Sequence, residues 1–266
     1  DLWHCERGDV AFNAVDFAAL RRADCVIAWS RAIQTLLKSY GLKCVEYLPF
    51  GIDLEVFDPL KAPKNLIYEK YPQLEGKTII GYSGGMWYVG GIERIGVEKI
   101  LKAFKAVEKD EKDIVLVMQT HPSIQRIAKE LNIKNFVYIP MTKFNDIYRL
   151  SLLRNIDIKI ITSTKFLPVY LAERSSMFQF MASGGAILAE DSPGVRAVLK
   201  HEYNAYIVRL NDIENMSNKL KILIKKDNIR ENIGKNARND IENKYSWRIL
   251  QRYANEIITK VHNTSL

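Results

Sequence analysis

The chain has 266 residues, 47% of them hydrophobic and 26% charged, with a formal net charge of +8. That balance is the one expected of a soluble globular protein with one large or two modest domains. No apolar run approaches the ~20 residues needed to cross a bilayer, and no signal peptide is visible, so a cytoplasmic location is expected. The positive charge is compatible with nucleic acid, an anionic membrane face or a nucleotide diphosphate. No nucleic-acid-binding signature accompanies it, which leaves nucleic acid aside and peripheral membrane contact open. The lysines at 219, 221, 225 and 226 read as solvated helix faces.

Residues 1–59 read as a helix (Ala11–Arg22), a strand (Cys25–Ala28), Ser30, a second helix (Ala32–Tyr40) and a second strand (Cys44–Leu48). The turn Pro49-Phe50-Gly51-Ile52-Asp53 follows, and Phe57-Asp58-Pro59 closes the segment. Two βα elements do not make a stable sheet unaided. The chain opens on Asp1 and reads as the middle of something, so a fragment or processed product is expected. Its three cysteines, Cys5, Cys25 and Cys44, are odd in number and lack metal-ligand spacing. They are expected to be reduced thiols, with Cys25 and Cys44 buried in strands and no metal bound.

Residues 60–76 read as a linker. From Lys77 onward, apolar runs with the length and β-branched content of buried parallel strands occur at Thr78–Gly81, Ile114–Met118, Phe136–Ile139, Ile156–Ile161, Ala186–Ala189 and Ala205–Val208. Helical patterns lie between them: Val97, Ile100, Leu101, Phe104 and Val107 in one, and Ile147, Leu150 and Leu153 in another, with Arg149 and Ser151 on its polar side. The alternation predicts a doubly wound α/β sheet over 77–245, its ligand outside the carboxyl ends of the strands. Residues 246–266 read as a final helix that Ser246 can cap, with Trp247, Leu250, Tyr253, Ile257 and Val261 in one apolar stripe.

Pro168–Glu190 is the most informative segment. It reads as a polar loop, a short helix capped by Ser175 or Ser176, the turn Gly184-Gly185 and a buried strand. A helix that starts at a sheet's carboxyl edge presents unpaired N–H groups to a phosphate, and Glu173 and Gln179 offer polar groups to nearby hydroxyls. An ordinary βα unit of any nucleotide-type fold would read the same way.

The segment MFQFMASGGAIL resembles the donor-binding signature of GT-B glycosyltransferases, especially family 4. Further landmarks fall in that family's order: ADCVIAWS (23–30), YLPFGIDLEVFDP (47–59, with Phe50 in place of the usual Asn), IIGYSGGM (79–86), NIDIKIITS (155–163), YNAYIV (203–208) and KNARNDIENKYSW (235–247). The resemblance implies an α/β fold of GT-B type. Residues 77–245 would be the Rossmann-like nucleotide-sugar domain and 1–59 the remnant of a second, acceptor-side Rossmann-like domain, with the last helix crossing back to it. It implies transfer of a sugar from a nucleotide-diphosphate-sugar donor to a glycan or lipid-linked acceptor, with retention and without a cofactor. A GT-B subunit that binds nucleotide or a partner protein without catalysis is the alternative. A GT-B sugar epimerase is disfavoured by the FGID and NARNDIENKYSW landmarks.

The resemblance also implies site residues. The family commonly places an Arg in the first glycine loop and a Lys shortly after; Gly85 and Ile95 stand in those places here. Gly84 and Gly85 are therefore expected to admit the ligand's phosphates, with Arg94 as the diphosphate cation, unless it is a surface arginine at the helix start. Of the family's paired glutamates, the first falls on Leu171 and the second, which contacts the ribose, on Gln179. Glu173 either substitutes for the first, as a catalytic group, or is a solvated loop residue. His121 lies near the expected nucleotide or simply turns strand into helix. His4 sits upstream of ADCVIAWS, as a catalytic histidine of the family's N-terminal domain would.

Overall fold

The computed structural model describes residues 14–264. It begins with α1 (Ala14–Arg22), β1 (Val26–Ala28), α2 (Arg31–Ser39) and β2 (Val45–Tyr47). Ser30, in extended backbone, accepts the Ile33 N–H and so starts α2. Ile33 and Leu37 then bury one helix face against Ala28, Leu42 and Val45. β1 and β2 pair in parallel, Val26 opposite Val45. That register sets Cys25 beside Cys44, Cα atoms 4.7 Å apart, and the two form a disulfide. The expectation of two reduced thiols is corrected: both residues are half-buried and joined, one at the start of each strand. Cys5 lies outside the described residues.

A two-stranded sheet is marginal in water, and a crosslink across a separation of 19 residues restrains the unfolded chain by about 3 kcal/mol. Reduction should therefore speed amide hydrogen exchange at 26–28 and 45–47 and leave the larger sheet protected. Equal protection with and without reductant would show that packing alone holds β1 to β2.

Residues 60–76 contain α3 (Leu66–Lys70), with Ile67 and Leu74 buried. β3 (Thr78–Ser83) follows, then the hairpin of β4 (Tyr88–Val89) and β5 (Ile92–Glu93), α4 (Glu98–Glu108), β6 (Ile114–Gln119), α5 (Ile124–Glu130) and β7 (Phe136–Ile139). The hairpin fills the long stretch after the glycine loop. Its turn is Gly90-Gly91, both at positive φ (60° and 76°), as a two-residue hairpin turn requires. The chain continues through α6 (Ile147–Asn155), β8 (Ile158–Ile161), α7 (Leu167–Leu171), α8 (Ser175–Ala182), β9 (Ala186–Glu190), α9 (Pro193–Val198), β10 (Tyr206–Val208), α10 (Ile213–Lys225) and α11 (Asp227–Asp240). A π-helical turn (Ile241–Tyr245) leads into α12 (Trp247–Thr264). α3 packs on α6, where the Ser151 hydroxyl accepts the Ile67 N–H and donates to Pro63 O.

The larger sheet is six-stranded and parallel, in the order β10-β9-β8-β3-β6-β7. β6, β8 and β9 are buried along their whole length, so they are largely apolar rather than alternating, with Lys159 inside β8 and Gln119 and Glu190 at the ends of β6 and β9 as the buried polar exceptions. The chain starts at central β3, moves outward to β6 and β7, and then crosses to β8 on the other side. The connections leaving β3 and β8 therefore diverge, which makes a topological switch point between these neighbours.

The chain end returns to the first segment. The Ile52 N–H donates to Tyr245 O and the Trp247 N–H to Ile52 O, each at 2.9 Å, and Lys260 pairs with Glu46. Of the expected stripe on α12, Leu250 is buried, whereas Trp247 and Tyr253 stay exposed. The Ser246 hydroxyl donates back to Glu242 O instead of capping α12.

Candidate functional site

A cleft of about 270 Å³ lies at the carboxyl edge, between the connections that diverge from β3 and β8. The glycine loop forms one wall. The Gly84 N–H is already bonded to Gln119 O and the Tyr82 hydroxyl holds Gly85 O at 2.9 Å, so the loop lies fixed beside the cleft. A side chain at Gly84 would begin 2.8 Å from the Tyr82 hydroxyl oxygen.

The opposite wall is the loop before α8 and its first turn. Arg174 is the residue flanking the helix, in extended backbone and without a capping side chain, so Ser175 and Ser176 are the first two helical residues. The expectation that they cap is corrected. Their value to a ligand is their backbone: first-turn N–H groups have no intrahelical acceptor and stand at the positive dipole end. Met177, Phe178, Phe180 and Met181 anchor the helix in the core. The first segment adds Trp29 and Phe50 to the cleft's lining, ring centroids 4.5 Å apart.

Gln179 lines the cleft one turn inside α8, and its Oε1 accepts a hydrogen bond from Arg149 Nη2 at 2.7 Å. Arg149 is 5% exposed, not on a polar surface as the spacing in α6 predicts, and Ser151 is fully buried. Asp146 caps α6 by accepting the Arg149 N–H. Arg149 Nη1 donates to Phe144 O, and its guanidinium lies over the rings of Phe57 and Phe144. Desolvation lowers its pKa. Arg174 is the cleft's other buried cation, its Nη2 donating to Thr162 O.

Glu173 borders the cleft, but its carboxylate faces the first segment. Oε1 accepts the Arg31 N–H at 2.9 Å and Oε2 the Tyr47 hydroxyl at 2.6 Å. The residue is 1% exposed; desolvation raises its pKa, opposed by those hydrogen bonds. It is therefore not a solvated loop glutamate.

Two expected ligand groups do not reach the cleft. The Arg94 guanidinium turns to Val89 O in the hairpin and lies 5.1 Å over the Phe166 ring, while its neighbour Ile95 lines the cleft. His121 accepts the Ser123 N–H at its Nδ1, hydrogen-bonds the Ser123 hydroxyl and packs on Tyr88, the arrangement of a strand-to-helix turn. His4 lies outside the described residues. Among those described, no cluster of His, Cys, Asp and Glu is placed to hold a metal.

A central parallel sheet whose switch point carries a glycine loop facing a helix N-terminus is a doubly wound α/β arrangement, and the solved glycosyltransferases that share it make the fold one of GT-B type. The chain belongs to the glycosyl transferases group 1 family, whose model matches residues 85–240, more than half of its length. It is 26% identical over 234 residues to an uncharacterized glycosyltransferase of Methanocaldococcus jannaschii. The match covers 86% of this chain and 56% of that protein, so the chain spans little more than half the length of its curated relative. Among solved structures, Anabaena HepE in complex with UDP-glucose matches 98% of this chain and 70% of its own, with a TM-score of 0.78 at 14% identity. Sucrose-phosphate synthase from Thermosynechococcus elongatus matches 94% of this chain and 61% of its own, with a TM-score of 0.72 at 16% identity. At these identities the two structures speak for the fold.

Proposed function

We propose that this chain is the donor-binding part of a family 4 glycosyltransferase, which moves a hexosyl group from a nucleotide-diphosphate sugar to a glycan or lipid-linked acceptor with retention. The reading gives residues 77–245 the donor, 1–59 the closing part of the acceptor side, and 246–266 the link between them. One observation carries it: the fixed glycine loop and the first turn of α8 face each other across a cleft at the sheet's switch point. Departure of a nucleotide diphosphate needs positive potential and N–H donors, and a helix N-terminus supplies both without a cofactor or metal. The UDP-glucose held by a protein of the same fold supports a nucleotide sugar as substrate.

In this reading the N–H groups of Ser175 and Ser176 hold phosphate oxygens, Gly84 and Gly85 leave room for them, and Gln179 faces the ribose. Glu173 sets the angle of the loop that carries the two serines. The net charge of +8 suits a peripheral site at the cytoplasmic face of an anionic membrane. A second reading, a GT-B subunit that binds nucleotide without catalysis, is favoured by Gly85, Leu171 and Gln179 in places where the family carries charge.

Isothermal calorimetry with UDP, GDP and ADP is expected to show one of them binding at millimolar concentration or tighter. A chain that binds none of the three is not the donor-binding part of such an enzyme. If it binds one but the protein neither hydrolyses nor transfers from the matching nucleotide sugar, the second reading holds.

A further inference from the structure

Arg149 is a buried cation that no carboxylate bonds directly. Its contacts are all neutral: Phe144 O, Gln179 Oε1 and the faces of Phe57 and Phe144. Its Nε–H has no acceptor. The carboxylate of Asp146 is engaged at the start of α6 by the Arg149 N–H and attracts the guanidinium only through space, without a hydrogen bond or close ion pair between the two side chains. An isolated buried charge is unfavourable unless something pairs it, and a guanidinium does not escape by losing its proton. Arg149 nevertheless borders the same cleft as Ser175 and Ser176.

A second observation points the same way. The glycine loop itself supplies no cation: Gly85 and Ile95 stand there, Arg94 is turned to Val89 O, and the cleft's other buried cation, Arg174, donates to Thr162 O and is balanced by the carboxylates of Glu93 and Glu190. Residue 179 is an amide whose oxygen orients Arg149 without neutralising it. A glutamate there would form a closed pair with the arginine.

We propose that Arg149, oriented by Gln179, is the cation that meets the diphosphate of the ligand in this cleft, taking over from the wall opposite the glycine loop. The proposal rests on the nucleotide-sugar reading above. Arg149 contacts the ligand; Gln179 is a positioning residue, and its amide keeps the guanidinium free for an anion.

The test is calorimetry with UDP, GDP and ADP and with uridine, guanosine and adenosine, on the parent chain, Arg149→Gln, Arg149→Lys and Gln179→Glu. For the diphosphate that the parent binds best, Arg149→Gln is expected to weaken affinity by about tenfold or more, and binding of its nucleoside by less than about twofold. Arg149→Lys should retain part of the diphosphate affinity. Gln179→Glu should also lose about tenfold, because the new carboxylate pairs with Arg149. If Arg149→Gln fails to fold, judged by circular dichroism, Gln179→Glu carries the test alone. Equal losses for nucleoside and diphosphate, or unchanged or raised diphosphate affinity in Gln179→Glu, overturn the assignment and leave nucleotide binding standing. Failure of the parent to bind any of the three diphosphates is the failure of the nucleotide reading itself, and no variant is needed to see it.

Discussion

Arg238→Leu should lower the stability of this protein by about 3 kcal/mol, because it leaves a buried carboxylate without its partner. Asp58 is 8% exposed and receives Arg238 Nη1 at 2.7 Å and Nη2 at 3.1 Å, a two-pronged pair. Arg238 Nη1 also donates to Ala182 O at the end of α8, and its Nε donates to Glu242. One guanidinium thus ties the Phe57-Asp58-Pro59 turn, the end of α8 and the π-helical turn together. With the arginine gone, Asp58 retains the Leu60 N–H and the distant, exposed Lys61, 3.8 Å away. For a chain of this size the thermal midpoint should fall by roughly 6–12 °C. Adding Asp58→Leu should recover part of the loss by removing the stranded charge. A fall of less than about 2 °C in the single variant would mean that water reaches the pair.

Gly234→Ala should be comparably damaging, by about 3 kcal/mol, at the upper end of what overpacking a close contact costs. A Cβ on Gly234 would stand 1.7 Å from Gly184 O and 2.7 Å from Gly184 C. Both are backbone atoms of the turn between α8 and β9, so no flexible side chain can move aside. Gly184 itself sits at φ 76°, a conformation that glycine adopts readily and an L side chain resists. Chemical denaturation should show the loss as a lower midpoint with an unchanged slope. An unchanged midpoint would show that α11 can shift away from the turn without penalty.

Much of this architecture is legible in the residues because buried parallel strands are written as short continuous apolar runs. Each of the six runs from Thr78 to Val208 is a strand of the large sheet, displaced by a residue or two at its ends. The apolar cluster of α8 is legible for the same reason. The hairpin carries a local signature as well, Tyr88-Val89-Gly90-Gly91-Ile92-Glu93, but it reads as loop when glycines are weighed only for phosphate binding. What sequence cannot display is direction. Arg149 sits among leucines in α6 and looks like the polar side of a helix, yet its partner Gln179 is on another helix. Cys25 and Cys44 meet only once β1 and β2 have chosen their register. Glu173 looks like a loop carboxylate because the groups that bond it, Arg31 and Tyr47, come from the opposite end of the chain.

The anchoring of Glu173 has a mechanical consequence. Ser175 is two residues further along the same strip of backbone, and the Ser30 hydroxyl grips that strip from the other side at Leu171 O. α2 is thus clamped to the tether of α8 at two points. Any tilt of the first segment against the large sheet either breaks these bonds or drags the opening turn of α8 with it. While those two bonds hold, the gap between that turn and the glycine loop follows the angle of the first segment against the large sheet.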